Sequence, residues 1–163
     1  MTQNISANPA NKQELILVRG HPGSGKTTFS QEFVKHGYKH YENDAYFTDV
    51  NGNYKFDFAF HQVAKDECVN KAIEALKNGS NVVVSNTFTL LKEMDSLVNY
   101  AKGHNIPVRV FEMEMSYKNQ HDVPADVVEA KKKQFEPFVG AEKVLSSDYK
   151  VSEATKPRNK YRP

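Results

Sequence analysis

The sequence predicts an α/β fold with three layers, a mainly parallel central sheet carrying helices on both faces. Three observations predict it. Apolar runs at Leu15–Arg19, 81–85 and 107–113 have the uninterrupted character of strands buried on both faces. Segments of helical periodicity separate these runs, as expected where parallel strands are joined by helical crossovers. Glycine or proline stands at most of the junctions, at Gly20, Gly37, Gly79, Gly103, Pro107 and Pro137. At 163 residues the chain suits one domain with a substantial core.

Taken in order, residues 1–13 are polar and predict a flexible N-terminal arm. Leu15–Arg19 predicts the first strand, and a helix is expected from Lys26 to about Lys35, stopped by Gly37. Residues 38–42 read as a second strand that delivers Asn43 and Asp44 at its carboxyl end. Residues 46–57 form an excursion with a tight turn at Asn51-Gly52-Asn53. Tyr46, Phe47, Tyr54, Phe56, Phe58 and Phe60 make it the most aromatic part of the chain.

A long helix is predicted over 58–77, where Phe60, Ala64, Cys68, Ala72 and Leu76 recur every four residues. That spacing puts the single cysteine on a packed face rather than in a reactive position. Val82-Val83-Val84 marks the third strand, followed by the loop Asn86-Thr87-Phe88-Thr89. A helix over 91–102 and a fourth strand over 107–113 come next. Residues 116–124 are polar and aperiodic, 125–135 reads as a short helix, and 143–145 as a last strand. The domain is thus expected over 14–151, and 152–163 is a basic tail with Lys156, Arg158, Lys160 and Arg162.

Between the first strand and its helix lies Gly20-His21-Pro22-Gly23-Ser24-Gly25-Lys26-Thr27-Thr28, which satisfies G-x-x-x-x-G-K-[ST], the phosphate-binding P-loop. A polyphosphate needs converging backbone N–H groups, close approach without Cβ atoms, and a compact cation. The glycines allow the approach, Lys26 supplies the cation, and the Thr27 hydroxyl reaches Mg²⁺. The following helix directs its positive end at the same anion. The expected fold is therefore that of a P-loop NTPase, with ATP or another nucleoside triphosphate and Mg²⁺ as cofactors.

Phosphoryl transfer further requires a group that accepts the proton of the attacking hydroxyl. Asp44, at the end of the strand after the P-loop helix, stands where such a base belongs; Asp49 and Asp57 are weaker rivals, and Asp57 also reads as a helix cap. The third strand ends in Ser85-Asn86, which carries no charge. Mg²⁺ is accordingly expected on Thr27, the phosphates and water, with Asp44 in its outer shell. Asn86 and Thr87 are expected on the acceptor side, orienting water or substrate.

Composition narrows the remaining classes. A net charge of +2 does not by itself argue for nucleic acid. No apolar run is long enough to span a membrane and no leader pattern is present, which predicts a cytoplasmic protein without membrane partners. Cys68 has no internal disulfide partner, and the six histidines show no zinc-ligand spacing. Lys131-Lys132-Lys133 and the basic tail read as solvated charge or as guides for a polyanion.

From Leu15 to about Phe138 the pattern resembles the polynucleotide-kinase-like P-loop family, which includes phage polynucleotide kinase and the zeta toxins. The resemblance is carried by the P-loop, Asn43-Asp44-Ala45-Tyr46, Val83-Val84-Ser85-Asn86-Thr87, and Lys118-Asn119-Gln120-His121-Asp122-Val123-Pro124. It implies a kinase in which Asp44 activates a 5′-hydroxyl, Asn86-Thr87 lies near the acceptor, and residues 116–124 form a lid over the phosphates. It also implies single-stranded DNA or RNA as acceptor. Family lids place arginine on the transferring phosphate, whereas the four arginines here, Arg19, Arg109, Arg158 and Arg162, lie outside that segment. Lys118 takes the nearest cationic position, with His121 beside it, and Phe47 replaces a basic residue after the aspartate. Two other readings stay open: a small-molecule kinase acting on a nucleoside or sugar nucleotide, and an ATP-binding module or switch without transferase activity. Oligomeric state is not encoded in any of these features.

Overall fold

A computed structural model describes residues 13–114, 135–145 and 148 of the chain. The arm over 1–12, the expected lid with Lys118 and His121, almost all of the helix expected over 125–135 and the tail from 152 lie outside the described residues.

The sheet has five strands: β1 (Leu15–Arg19), β2 (Lys39–Tyr41), β3 (Val82–Asn86), β4 (Val108–Glu114) and β5 (Glu142–Leu145). Their order is β2-β3-β1-β4-β5 and every pairing is parallel. Helices α1 (Lys26–Val34), α2 (His61–Lys77) and α3 (Asp95–Gly103) cover it.

The alternation of strand side chains builds two cores. Leu15, Leu17, Val82, Val84 and Val110 face Cys68, Ala72 and Leu76 of α2 and Leu97 and Ala101 of α3. Ile16, Val18, Val83, Phe111 and Met113 face Phe29 and Phe33 of α1. Each fully buried Leu, Ile, Val or Phe side chain contributes roughly 1.5–3 kcal/mol. β1, buried along its whole length, is the spine of both cores. This is the predicted three-layer arrangement, with α1 on one face and α2 and α3 on the other.

Local details depart from the expected boundaries for identifiable reasons. β2 is three residues long, beginning only after Tyr38, whose amide donates to the Phe33 carbonyl at 3.2 Å and whose hydroxyl donates to the buried Glu14 carboxylate. Arg109 of β4 completes that cluster, donating from Nε to Glu14 Oε1 at 3.1 Å and from Nη2 to Oε2 at 2.9 Å. Asn43–Phe47 winds into a 3-10 turn, and the excursion beyond it closes through an antiparallel bridge between Thr48 and Tyr54. Asp49 caps the intervening turn, accepting the amides of Asn51 and Asn53. The long helix begins with a 3-10 turn at Phe58–Phe60, whose first amides are capped by Asp57 accepting from Ala59 N. Before α3 a third 3-10 turn occupies Leu91–Met94. Among the described residues no helix is long and apolar enough to cross a membrane.

Candidate active site

Parallel pairing sends the carboxyl ends of β1, β2 and β3 to one rim, where ligands of open α/β sheets bind. The P-loop leaves β1 there. Gly23 and Gly25 adopt φ values of +77° and +90°, a region that favours glycine, and Gly25 is the residue on which α1 begins. Gly20 is required for a different reason. A Cβ at that position would lie 2.6 Å from Ser24 Oγ and 2.9 Å from Met113 Cβ. Its amide donates to the Thr87 carbonyl at 3.3 Å, so the P-loop and the loop after β3 are joined at their base.

Lys26 is the first residue of α1, and its ammonium donates to the His21 carbonyl at 3.0 Å. Burial lowers its pKa to about 8, opposed by the nearby carboxylates of Glu42 and Asp44. The ammonium and the two carboxylates therefore share one site. Asp44 sits in the first turn after β2, half-buried, with the Tyr54 hydroxyl donating to Oδ1 at 3.4 Å.

The two acceptor-side candidates have structural duties. Asn86 accepts the Asn43 amide at 2.8 Å, and its own amide faces Cys68 Sγ at 3.7 Å. Asn86 thus fixes the backbone that carries Asp44. Thr87 offers its carbonyl to Gly20.

Thr27 brings in a residue the sequence reading did not single out. Its hydroxyl donates to Glu42 Oε1 at 3.0 Å. Ser85 Oγ donates to the same oxygen at 3.3 Å, and His40 Nε2 lies 2.7 Å from Ser85 Oγ. Burial lowers the pKa of His40. The parity of β2 was a usable signal, since it places His40 and Glu42 together on the α1 side of the sheet.

Arg19 was likewise counted but given no role. It is fully buried at the end of β1. Nε and Nη2 donate to the Phe88 carbonyl at 3.0 and 2.6 Å, Nη2 also to Thr89 at 3.2 Å, and Nη1 to the Glu136 carbonyl at 2.7 Å. The guanidinium lies 4.8 Å from the Phe135 ring centre, and His21 packs on the same ring at 4.4 Å. One arginine thereby ties the loop after β3 to the segment that enters β5, while His21 ties that segment to the P-loop.

The aromatic excursion packs chiefly on itself. Phe47 is buried beneath Tyr46, Tyr54 and Phe56, at centroid distances of 5.1, 6.2 and 4.9 Å. Phe47, the residue standing where the resemblance calls for a cation, is therefore the centre of a small apolar cluster next to Asp44.

Comparison with known proteins agrees with the fold. A family model described as an AAA domain matches residues 15–138. The chain is 30% identical over 131 residues to an uncharacterized protein of Pasteurella multocida, covering 71% of this chain and 73% of that one. It is 27% identical to a bifunctional polynucleotide phosphatase/kinase of Schizosaccharomyces pombe over 71% of its length. It is 28% identical to a putative bifunctional polynucleotide kinase/RNA ligase of Autographa californica nuclear polyhedrosis virus over 88% of its length. The chain spans 26% and 23% of those two longer proteins. Among solved structures, a putative kinase from Chloroflexus aurantiacus superposes with a TM-score of 0.59 at 19% identity, covering 83% of this chain and 86% of that one. A chain of the Pnkp1/Rnl/Hen1 complex gives 0.56 at 18% identity, covering 72% and 40%. A sugar kinase from Janibacter gives 0.52 at 14% identity, covering 82% and 84%. These structural likenesses establish the fold.

Proposed function

The chain belongs to the P-loop kinase family whose model is described as an AAA domain, and from that premise we propose that it moves the γ-phosphate of ATP to a hydroxyl, the 5′-hydroxyl of a polynucleotide above all. The observation that carries the reading is the bond from the Thr27 hydroxyl to Glu42 at 3.0 Å, which brings the start of α1, with Lys26 and Thr27, against the end of β2, two residues before Asp44. A carboxylate at this rim in addition to Glu42 suits a proton acceptor better than simple nucleotide holding.

In this reading the backbone amides of residues 23–28 and the α1 N-terminus hold the β- and γ-phosphates. Lys26 exchanges its bond to the His21 carbonyl for phosphate oxygens. The acceptor oxygen forms a bond to the γ-phosphorus while the bond from that phosphorus to the β,γ-bridging oxygen breaks, and ADP leaves. Asp44 takes the hydroxyl proton, a contribution of ~10²–10⁴-fold in rate. Oxygen donors at Thr27 suit Mg²⁺, which when bound neutralises phosphate charge. Lys118 and His121 are proposed to close over the phosphates from the 116–124 segment.

The polynucleotide acceptor is supported by the two bifunctional polynucleotide kinases among the relatives. The sugar kinase among the structural neighbours is the observation favouring a small acceptor. A panel separates them: γ-labelled ATP offered with 5′-hydroxyl DNA, 5′-hydroxyl RNA, nucleosides and simple sugars. Label entering the oligonucleotides at least about tenfold faster than the small acceptors is expected, a difference of ~1.4 kcal/mol in the barrier. Label entering a nucleoside or sugar preferentially overturns the polynucleotide assignment.

A further inference from the structure

We propose that Glu42 is the carboxylate that orients the divalent cation of the bound nucleotide, acting from β2 because β3 ends in an uncharged asparagine. The proposal rests on the nucleotide-binding reading above. P-loop NTPases generally hold their cation with the loop's Ser or Thr and a strand-end carboxylate. The sequence offers none after Val82-Val83-Val84-Ser85. Glu42 supplies one from the neighbouring strand.

The Thr27 hydroxyl has a single proton, and giving it to Glu42 Oε1 at 3.0 Å leaves both oxygen lone pairs for a cation. The carboxylate is held from two sides, by Thr27 and by Ser85, while His40 Nε2 lies 3.7 Å away. Ser85 is itself fixed by His40, whose other ring nitrogen faces the Gln31 side chain at 3.4 Å. Among the described residues the three side-chain contacts of Glu42 fall on Oε1, so Oε2 is the atom that would meet the water shell Mg²⁺ retains. Because β2 lies one strand beyond β3, roughly 4.8 Å further from the P-loop strand, the longer glutamate suits the position better than aspartate.

Charge balance points the same way. Glu42, held by Thr27, and Asp44, two residues on, both act on the Lys26 ammonium, so two carboxylates stand beside that one cation. A divalent cation bound to the triphosphate lowers its negative charge, so the loaded nucleotide is repelled less by these carboxylates than the free one. Among the described residues no cluster of three or more His, Cys, Asp or Glu side chains is placed to hold a metal. The cation would rest on phosphate oxygens, the Thr27 hydroxyl and water, with Glu42 holding that water from the outer shell.

The test is ATP binding by calorimetry with the full chain, in EDTA and across a Mg²⁺ series, for wild type, Glu42→Gln and Glu42→Ala. Manganese paramagnetic resonance with ATP reads the cation directly. Glutamine keeps an acceptor for Thr27 and Ser85 but removes the charge. Glu42→Gln is expected to raise the half-saturating Mg²⁺ about tenfold, within the ~10–100-fold that loss of an outer-shell partner brings. Its ATP binding in EDTA should stay equal or become tighter, and its bound Mn²⁺ spectrum should change.

Wild-type Mg²⁺ dependence in Glu42→Gln, with Glu42→Ala weakening binding equally in EDTA and in Mg²⁺, assigns Glu42 a structural role and overturns the proposal. If wild type binds ATP in neither condition, the nucleotide reading itself falls and takes the proposal with it. Should Glu42→Gln fail to fold, Ser85→Ala keeps the carboxylate but loosens it. That variant is expected to shift the Mg²⁺ requirement about threefold, the worth of one hydrogen bond, and no shift overturns the proposal.

Discussion

Gly20 shows how one missing side chain shapes the site. Its position between Ser24 and Met113 is closed to a methyl group, and while a serine hydroxyl can rotate away, Met113 Cβ is fixed to the backbone of β4. Gly20→Ala is expected to cost about 1–3 kcal/mol of stability through overpacking, read as a lower urea midpoint. The same variant should weaken ATP binding, because relief of the clash moves the loop. Unchanged stability and binding would mean that the loop yields freely. Cys68 offers a second test at this scale. Burial pushes its thiol up to about 11, so the reactive thiolate is scarce at neutral pH and increases as pH rises toward that value. Alkylation by iodoacetamide at pH 8 should be at least about a hundredfold slower in the native protein than in the urea-unfolded chain, given an ordinary thiol pKa of ~8.5 in the latter. Equal rates would contradict the packing of Cys68 between α2 and the sheet.

At the scale of elements, the P-loop was legible because its determinants are local: a buried strand, glycines at fixed spacing, a lysine and a threonine opening a helix. The place of Asp44, in the turn just beyond the second strand, was legible in the same way, though its role as the base is a proposal. Arg19 and Glu42 were not. The partners of Arg19 lie 69 and 117 residues away, and those of Glu42 on α1 and β3, so their roles exist only once the sheet is assembled. The split of the predicted 91–102 helix likewise follows from contacts of its first turn, where Leu91 N donates to the Glu136 carboxylate at 2.6 Å. Arg19 binds three segments at once. Arg19→Lys keeps the charge but loses the planar fork, leaving buried carbonyls unpaired at about 1–3 kcal/mol each. A loss of about 2–4 kcal/mol by urea denaturation is expected on that account. A midpoint equal to wild type would show that the three segments hold together without it.

For the whole molecule, the alternation of apolar runs and helical segments was enough to predict a parallel three-layer sheet, and two cores on opposite faces are its realisation. Strand order was not readable, because Val82-Val83-Val84 pairs as well with one apolar neighbour as with another until α1 and α2 take opposite faces. The assembled order β2-β3-β1 is what brings Glu42 and Asp44 beside the P-loop. At the opposite edge the Glu14–Arg109–Tyr38 cluster anchors β1, β4 and the start of β2, leaving the carboxyl rim for chemistry. Phosphate transfer at this rim, with Asp44 accepting the proton, is the activity proposed for the molecule. Its most direct test is the rate of γ-labelled phosphate transfer to a 5′-hydroxyl oligonucleotide by wild type and Asp44→Asn, with ATP affinity measured on both. The account predicts transfer by wild type, a fall of at least about a hundredfold in Asp44→Asn, and ATP affinities within about threefold of each other, less than the worth of one charged hydrogen bond. Transfer by Asp44→Asn at the wild-type rate, or ATP binding by wild type without transfer to any hydroxyl, would contradict it.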